Sequence, residues 1–329
     1  MKPILQIDHL SISFATYRGE LEAIHDVSIA VHAGETVGIV GESGCGKSVT
    51  SQSVMKLLPA QTTTYTKGHI YWDGRDIVPL GEGDMNRLRG KDMAMVFQDP
   101  MTSLNPVLTI GSQIEEGLAL HTTMTKAGRK RKALELLEDV GLTSPAERLR
   151  QYPHELSGGM RQRCLIAMAL ACGPRLLFAD EPTTALDVTT EAQVLALLRK
   201  PQKQTGMAMV LISHNLGVIA QMCQRVYVMY AGCVVETGSV EDIFYRPAHP
   251  YTRGLLASLP DVTHKEKLLV GIPGQAPDLY SMPAGCRFFR RCSQAMHICT
   301  HAMPKLTTVG PTHQSACWLC ERRQAHGAH

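Results

Sequence analysis

The chain has 329 residues, more than most single domains, and this length predicts a main domain with an appended module. Lys and Arg number 33 against 30 Asp and Glu, a formal net charge of +3, so the basic field typical of nucleic-acid binding is lacking and we expect no nucleic-acid partner. Asp8 and His9 interrupt the apolar stretch that a signal peptide needs, and no run approaches the ~20 apolar residues of a membrane span. We therefore expect a cytosolic chain that reaches a membrane only through partners.

Short apolar strands alternate with amphipathic helices along much of the chain, a pattern typical of an α/β protein with a largely parallel sheet. Buried strands are predicted at 36–40, 176–179, 209–212 and 225–230. The alternation stops after residue 111, and apolar residues stand at helical spacing over 127–140. The sequence therefore predicts an α-helical subdomain inserted at about 111–160.

A glycine-rich loop follows the strand at 36–40. It reads Gly41-Glu42-Ser43-Gly44-Cys45-Gly46-Lys47-Ser48, and Val49 and a predicted helix come next. This strand, loop and helix context is that of a P-loop, whose backbone N–H groups cradle phosphate oxygens. Lys47 is predicted to reach the β- and γ-phosphates of ATP, and Ser48 to bind Mg²⁺.

Cys45 has two interpretations within this loop. It fills space, or its thiol has a lowered pKa beside the phosphate-binding N–H groups and is reactive. In the second case, alkylation of Cys45 is expected to block nucleotide binding.

Two carboxylates end another buried strand, because residues 176–179 lead into Asp180-Glu181. Asp180 is predicted to help hold Mg²⁺, and Glu181 to polarise the attacking water. Taken alone, Asp-Glu after an apolar strand is more often a helix cap, but the preceding P-loop reverses that interpretation. The predicted fold class is therefore α/β, of the P-loop NTPase (RecA-like) type.

Between these motifs stands Leu156-Ser157-Gly158-Gly159-Met160, at the start of a predicted helix. On this sequence the chain resembles the ATP-binding cassette (ABC) family, whose signature loop has this form. Further matches are Gln98 in FQDP, Asp187 in TALD and His214 after the strand at 209–212. The resemblance implies that Gln98 binds water and Mg²⁺, that Asp187 communicates across a dimer interface, and that His214 contacts the γ-phosphate.

The same resemblance implies an N-terminal antiparallel β element and a head-to-tail dimer. In that dimer, Ser157, Gly158 and Gly159 of one subunit contact the ATP that the P-loop of the other subunit holds. Phe14 lies where the family stacks an aromatic ring on adenine; Tyr17 is the nearby alternative, and plain strand packing is another role for Phe14. Asn215 departs from the family pattern, in which Asp is common after this His.

The chain becomes irregular and rich in proline after Glu236, and we place the boundary near Tyr245, so the predicted domains are 1–244 and 245–329. His249-Pro250-Tyr251-Thr252 resembles a segment of ATPases from bacterial oligopeptide, dipeptide and nickel importers. Relatives of this kind carry a cysteine motif that several use to hold a [4Fe-4S] cluster, and the matching residues are Cys286, Cys292, Cys299 and Cys317, with Cys320 as a spare thiol. Four thiolates also suit zinc, and neither standard zinc-ribbon nor ferredoxin spacing is present, so cluster, zinc and unoccupied thiols all stay open.

The resemblance covers essentially the whole chain and implies the ATP-hydrolysing subunit of a bacterial ABC importer on the cytoplasmic face of the inner membrane. The implied partners are a second, similar ATPase subunit in a heterodimer, two transmembrane permeases and a solute-binding protein. Di- and oligopeptides are the expected cargo, with nickel, glutathione and antimicrobial peptides as alternatives. A soluble ABC ATPase of translation or DNA repair is disfavoured, because those generally have twin cassettes or a long coiled coil. A metal- or redox-sensing ATPase is the alternative from another class.

Overall fold

The computed structural model describes residues 2–184, 186–258 and 271–326. Within them the strands are β1 (Leu5–Thr16), β2 (Gly19–Val31), β3 (Thr36–Val40), β4 (Thr63–Trp72), β5 (Arg75–Asp76), β6 (Met93–Val96), β7 (Leu176–Asp180), β8 (Ala208–Ile212), β9 (Arg225–Tyr230), β10 (Cys233–Ser239), β11 (Thr307–Thr308) and β12 (Gln314–Ser315). The helices are α1 (Lys47–Val54), α2 (Glu82–Leu88), α3 (Pro100–Ser103), α4 (Ile110–His121), α5 (Lys126–Asp139), α6 (Pro145–Arg148), α7 (Gly158–Leu170), α8 (Val188–Thr205), α9 (Leu216–Met222), α10 (Val240–Tyr245), α11 (Pro250–Ala257), α12 (His297–His301) and α13 (Trp318–His326). No helix in this part of the chain has both the length and the apolar character needed to cross a membrane.

The described residues form two compact units. The first contains Val31–Thr36 and Pro79–Ile212, and the second contains Pro3–Ala30, Val37–Val78 and the described residues from Ser213 onward. Both units draw on segments that are distant in the sequence. The domain boundary at residue 244 stays a prediction.

The first unit is built around parallel strands. β7 pairs with β6, with Leu176 opposite Met93, and also with β8, with Leu176 opposite Ala208. Every residue of β7 and β8 is buried, as expected for parallel strands covered on both faces. Between β6 and β7 the longer elements are helices, among them α4, α5 and α7, as expected for an inserted helical subdomain. Its bounds at about 111–160 stay a prediction.

The second unit holds two sets of paired strands. One has the order β2-β1-β4-β5, with β1 antiparallel to β4 and Leu5 opposite Trp72, and it confirms the predicted N-terminal antiparallel element. In the other, β3 lies parallel to β9, with Val37 opposite Arg225. β10 and then β12 extend this second set by antiparallel pairing. The C-terminal region therefore contributes strands next to those that lead to the phosphate loop.

A buried carboxylate fixes the C-terminal segments against β10. Glu236 is fully buried, and its Oε1 accepts hydrogen bonds from the Ala248 N–H and from His313 Nε2, both at 2.6 Å. Its Oε2 accepts the His249 N–H at 3.0 Å. Because a buried charge is tolerated only when it is paired and hydrogen-bonded, this network specifies how the C-terminal segments meet the sheet.

Candidate nucleotide-binding site

The phosphate loop runs from β3 into α1 as the sequence predicts, and its backbone requires glycine. Gly41 has φ 153° and Gly46 has φ 100°, a region that favours glycine. A Cβ on Gly41 would lie 2.2 Å from the Met229 carbonyl oxygen, and one on Gly46 would lie 2.8 Å from Ile24. The two glycines therefore let the loop turn tightly against neighbouring backbone and side chains of the second unit.

Lys47 is buried at the start of α1 and bends back over the loop. Its Nζ donates to the carbonyls of Gly41 and Glu42, both at 2.9 Å. These carbonyls hold the ammonium group at the loop itself, where it can exchange them for phosphate oxygens. Ser48 follows at the second position of α1, and Val49 is half-buried one residue later.

Cys45 is not an activated thiol. It is 4% exposed, and burial raises the pKa of its thiol more than the nearby Lys47 charge lowers it. The hypothesis of a lowered pKa is therefore wrong, because the sequence does not reveal that this loop position faces the interior. Space filling is the role that its burial supports.

Glu42 connects the phosphate loop to the C-terminal region. Its N–H donates to Tyr251 Oη at 2.9 Å, and its carboxylate accepts two hydrogen bonds from Arg291, at 2.7 and 2.9 Å. Sequence reasoning missed both partners, since neither lies near Glu42 along the chain.

In the first unit, Gln98 and Glu181 are brought together. Gln98 Nε2 donates to Glu181 Oε2 at 3.0 Å, and Thr184 Oγ1 donates to the same oxygen at 2.8 Å. Glu181 has φ 47°, a left-handed conformation that is uncommon for a residue with a side chain and often marks a functional position. Asp180, the preceding residue at the end of β7, is buried. Two of the predicted catalytic residues thus share a hydrogen bond.

The signature loop and Asp187 each begin a helix. Ser157 caps α7, where its side chain accepts the Met160 N–H at 3.4 Å, and Gly158 and Gly159 form the first positions of that helix. Asp187 caps α8: it accepts the Thr190 N–H at 3.0 Å, and hydrogen bonds from Thr190 lower the pKa of its carboxyl. Ala185 of the same motif lies outside the described residues.

His214 is exposed just after β8, and its neighbour Asn215 has a structural role. The Asn215 side chain accepts the Gly217 N–H at 3.0 Å and the Val218 N–H at 3.4 Å, so it caps α9. Asn is as good a helix cap as Asp. The departure from Asp at this position is therefore structurally conservative.

The two candidates for adenine stacking differ in exposure. Phe14 in β1 is half-buried, whereas Tyr17 in the turn after β1 is 97% exposed. Both lie in the second unit, which also carries the phosphate loop and His214. The choice between the two rings stays a prediction.

The four predicted cysteine ligands meet at one cavity of the second unit. Its lining includes Cys286, Cys292, Cys299 and Cys317. Gly285 permits this approach, because a Cβ there would lie 2.2 Å from the Cys299 carbonyl oxygen, which accepts the Cys286 N–H at 2.8 Å. As placed, no three His, Cys, Asp or Glu side chains among the described residues form a group that could hold a metal ion. Thiolates are the ligands that iron-sulfur clusters and zinc prefer, and a metal centre at these four cysteines stays a prediction.

A P-loop at the end of one strand and a carboxylate pair at the end of another, each in a unit with parallel strands, define the class of P-loop ATPases. The chain matches the family described as ABC transporter over residues 24–184, and that described as oligopeptide/dipeptide transporter, C-terminal region, over residues 235–299. It is 49% identical to the dipeptide transport ATP-binding protein DppD of Bacillus subtilis, over 99% of this chain and 97% of that protein.

Two further relatives support the same assignment. The oligopeptide transport ATP-binding protein OppD of Bacillus subtilis is 51% identical, over 96% of this chain and 88% of that protein. The solved dimeric ATP-binding cassette MJ0796, in a post-hydrolysis state bound to ADP and Pi, is 28% identical with a TM-score of 0.65, and the match covers 72% of this chain and 98% of that chain. The chain therefore belongs to the family of ABC transporter ATP-binding proteins, and it is an ATPase.

Proposed function

We propose that Gly41–Ser48, with Val49, binds the phosphates of MgATP, and that Glu181 orients the attacking water. Lys47 would stabilise the negative charge that develops on the phosphates, and His214 would contact the γ-phosphate. The Mg²⁺ ion would be bound by Ser48, Gln98 and Asp180. The hydrogen bond between Gln98 and Glu181 supports this assignment, because it sets the proposed water-orienting carboxylate beside a proposed Mg²⁺-binding amide.

In this proposal the ATP site is shared between two ATPase subunits. Ser157, Gly158 and Gly159 would bind the γ-phosphate held by a partner subunit, and Asp187 would lie at the interface. The phosphate loop and the signature loop each lead into the N-terminus of a helix, and helix N-termini bind anions favourably. A purified chain without its partner is therefore expected to bind MgATP but to hydrolyse it slowly.

Glu181→Gln tests the catalytic assignment. In the assembled transporter, this variant should bind MgATP with unchanged affinity while turnover falls by at least about 100-fold, the usual contribution of a general base. Glu191→Gln is the matched control and should keep full activity, because Glu191 is a half-buried carboxylate in the first turn of α8 with no part in the proposed site. Near-normal turnover in Glu181→Gln would remove Glu181 from the mechanism.

We propose further that the chain drives uptake of di- and oligopeptides as the ATPase of a bacterial importer, at the cytoplasmic face of the inner membrane. The proposed partners are a second, homologous ATPase subunit, two transmembrane permeases and a solute-binding protein. This proposal rests on one observation. The chain is 49% identical in sequence, over nearly its whole length and including the C-terminal region, to a protein named for dipeptide transport.

The substrate is tested by reconstituting the chain with the proposed permeases and solute-binding protein. ATP-dependent accumulation of labelled di- and oligopeptides, abolished by Glu181→Gln, is the expected result. Transport of nickel or glutathione without peptide transport would replace the proposed cargo. Co-purification of two identical ATPase chains would replace the heterodimer by a homodimer.

We also propose that Cys286, Cys292, Cys299 and Cys317 hold a [4Fe-4S] cluster. The support is that these four residues line one cavity. A bound cluster would stabilise a segment that has few regular elements. Anaerobically purified full-length chain should contain iron and absorb broadly near ~400 nm, and Cys299→Ser should lower both. Zinc in place of iron would assign a zinc site, and a sample without metal would reject both.

A further inference from the structure

The C-terminal region holds the phosphate loop through one buried guanidinium group. Arg291 donates Nη1 to Glu42 Oε2 at 2.7 Å and Nη2 to Glu42 Oε1 at 2.9 Å, a bidentate pair. The Arg291 side chain is 7% exposed, and its Nε also donates to the Pro273 carbonyl at 2.9 Å. Paired and anchored in this way, the guanidinium is held in one orientation against the loop.

The charge of Glu42 makes this contact relevant to nucleotide binding. Glu42 lies inside the loop that receives the most negative part of ATP, and its own carbonyl accepts the Lys47 ammonium at 2.9 Å. A free carboxylate here would repel phosphates and compete with them for Lys47. Arg291 neutralises the carboxylate and holds it against the C-terminal region, so the Lys47 charge stays available for phosphate.

The segment Cys286–Cys292 also contacts the phosphate loop indirectly, through the ring of Tyr251. Tyr251 Oη accepts the Glu42 N–H, and the Tyr251 ring packs against Tyr230 and Phe288 with centroid distances of 4.6 and 5.4 Å. Phe288, like Arg291, lies between Cys286 and Cys292. The segment Cys286–Cys292 therefore reaches Glu42 directly through Arg291 and indirectly through an aromatic contact.

We propose that Arg291 is a positioning residue for nucleotide binding, which neutralises Glu42 and holds the phosphate loop in the form that accepts MgATP. This inference rests on the proposed assignment of Gly41–Ser48 as the ATP site. It gives the cysteine-bearing segment a direct influence on ATP affinity, in addition to its place in the fold.

The test is calorimetric titration of MgATP into the purified full-length chain. Arg291→Gln should weaken binding about tenfold, the order expected for one uncompensated charge close to the phosphates at intermediate dielectric. The loss should shrink in about 0.5 M salt, because screening weakens charge repulsion. Glu42→Gln breaks the same ion pair but leaves no carboxylate, so its loss of affinity should be several-fold smaller. The double variant should recover most of the affinity lost by Arg291→Gln.

Arg287→Gln is the matched control. Arg287 lies in the same segment, is equally buried and pairs with Glu22 at 2.9 Å instead of with the phosphate loop. This variant should lower the melting temperature as Arg291→Gln does, with MgATP affinity unchanged. A purely structural role for Arg291 would instead give equal losses of affinity in Arg291→Gln, Glu42→Gln and the double variant, and that result would overturn the inference.

Lys47→Ala separates this inference from the site on which it rests. If Lys47→Ala binds MgATP like the wild type, the proposed ATP site is wrong. If Lys47→Ala loses binding while Arg291→Gln keeps wild-type affinity, the site stands and the positioning role of Arg291 is wrong.

Discussion

Replacing Glu236 by Gln measures how strongly the C-terminal segments are attached to β10. The substitution keeps the shape of the side chain but leaves one acceptor oxygen where the carboxylate has two. Three donors converge on that carboxylate: the N–H groups of Ala248 and His249, and the His313 ring. The amide introduced by Glu236→Gln could point its NH₂ group to either of the two oxygen positions. Each position receives at least one buried donor, so one donor would face the NH₂ group in both cases.

The expected cost follows from this count. An unsatisfied buried donor costs about 1–3 kcal/mol, and weakening the charge-assisted bond to His313 adds a comparable amount. We expect Glu236→Gln to lower the free energy of unfolding by about 3 kcal/mol. Urea denaturation followed by circular dichroism is the measurement, with an unchanged slope against urea as the sign that only stability has changed.

The same carboxylate predicts a pH dependence. Burial raises the pKa of Glu236, but hydrogen bonds from His313 and from backbone N–H groups outweigh burial and bring the pKa below its usual 4.5. The stability contributed by the ionised carboxylate is therefore present above pH 4.5 and is lost as the pH falls through the lower pKa of the folded state. The difference in the free energy of unfolding between the wild type and Glu236→Gln should therefore become smaller as the pH falls through the folded-state pKa of Glu236.

Glu241→Gln is the control for Glu236→Gln. The Glu241 side chain is 73% exposed and lies 3.6 Å from Arg246, and surface pairs of this kind contribute under about 1 kcal/mol. A cost for Glu236→Gln below about 0.5 kcal/mol, or an equal cost for Glu241→Gln, would refute the reasoning.

Three further predictions concern the candidate site. Gly41→Ala should abolish MgATP binding, because its Cβ would collide with the Met229 carbonyl; Gly44→Ala, with no atom within 4 Å of the new Cβ, should be milder in the same titration. Cys45 should react slowly with maleimide at neutral pH, since the thiol is buried and its pKa raised; rapid labelling of folded chain, read by peptide mass mapping, would contradict this. Asn215→Ala should cost about 1 kcal/mol in thermal unfolding through loss of the α9 cap, and Asn215→Asp should cost much less.

Local sequence was sufficient for the elements that flank the phosphate loop. The apolar run at 36–40 and the Lys that follows the glycines define β3 and the start of α1 to the residue, because each depends on neighbouring residues alone. The same holds for β9 at 225–230. Strand and loop motifs of this kind carry their own context.

Contacts between distant parts of the chain could not be predicted in this way. Glu42 and Arg291 are 249 residues apart, and nothing in either neighbourhood indicates the other. The pKa of Cys45 depends on burial by surrounding elements, which the loop sequence does not encode. The sequence marks Asn215 as a departure from the family pattern, but its capping role depends on where the backbone of α9 begins.

The pairing of β12 with β10 has a consequence for synthesis of the chain. Glu236 and Thr237 of β10 pair with Ser315 and Gln314, which leave the ribosome long after β10. Until then, β10 presents an unpaired sheet edge that can pair with other chains. Chains truncated before residue 314 should therefore aggregate. During this interval of translation, the unpaired edge of β10 is the surface that a chaperone would need to cover.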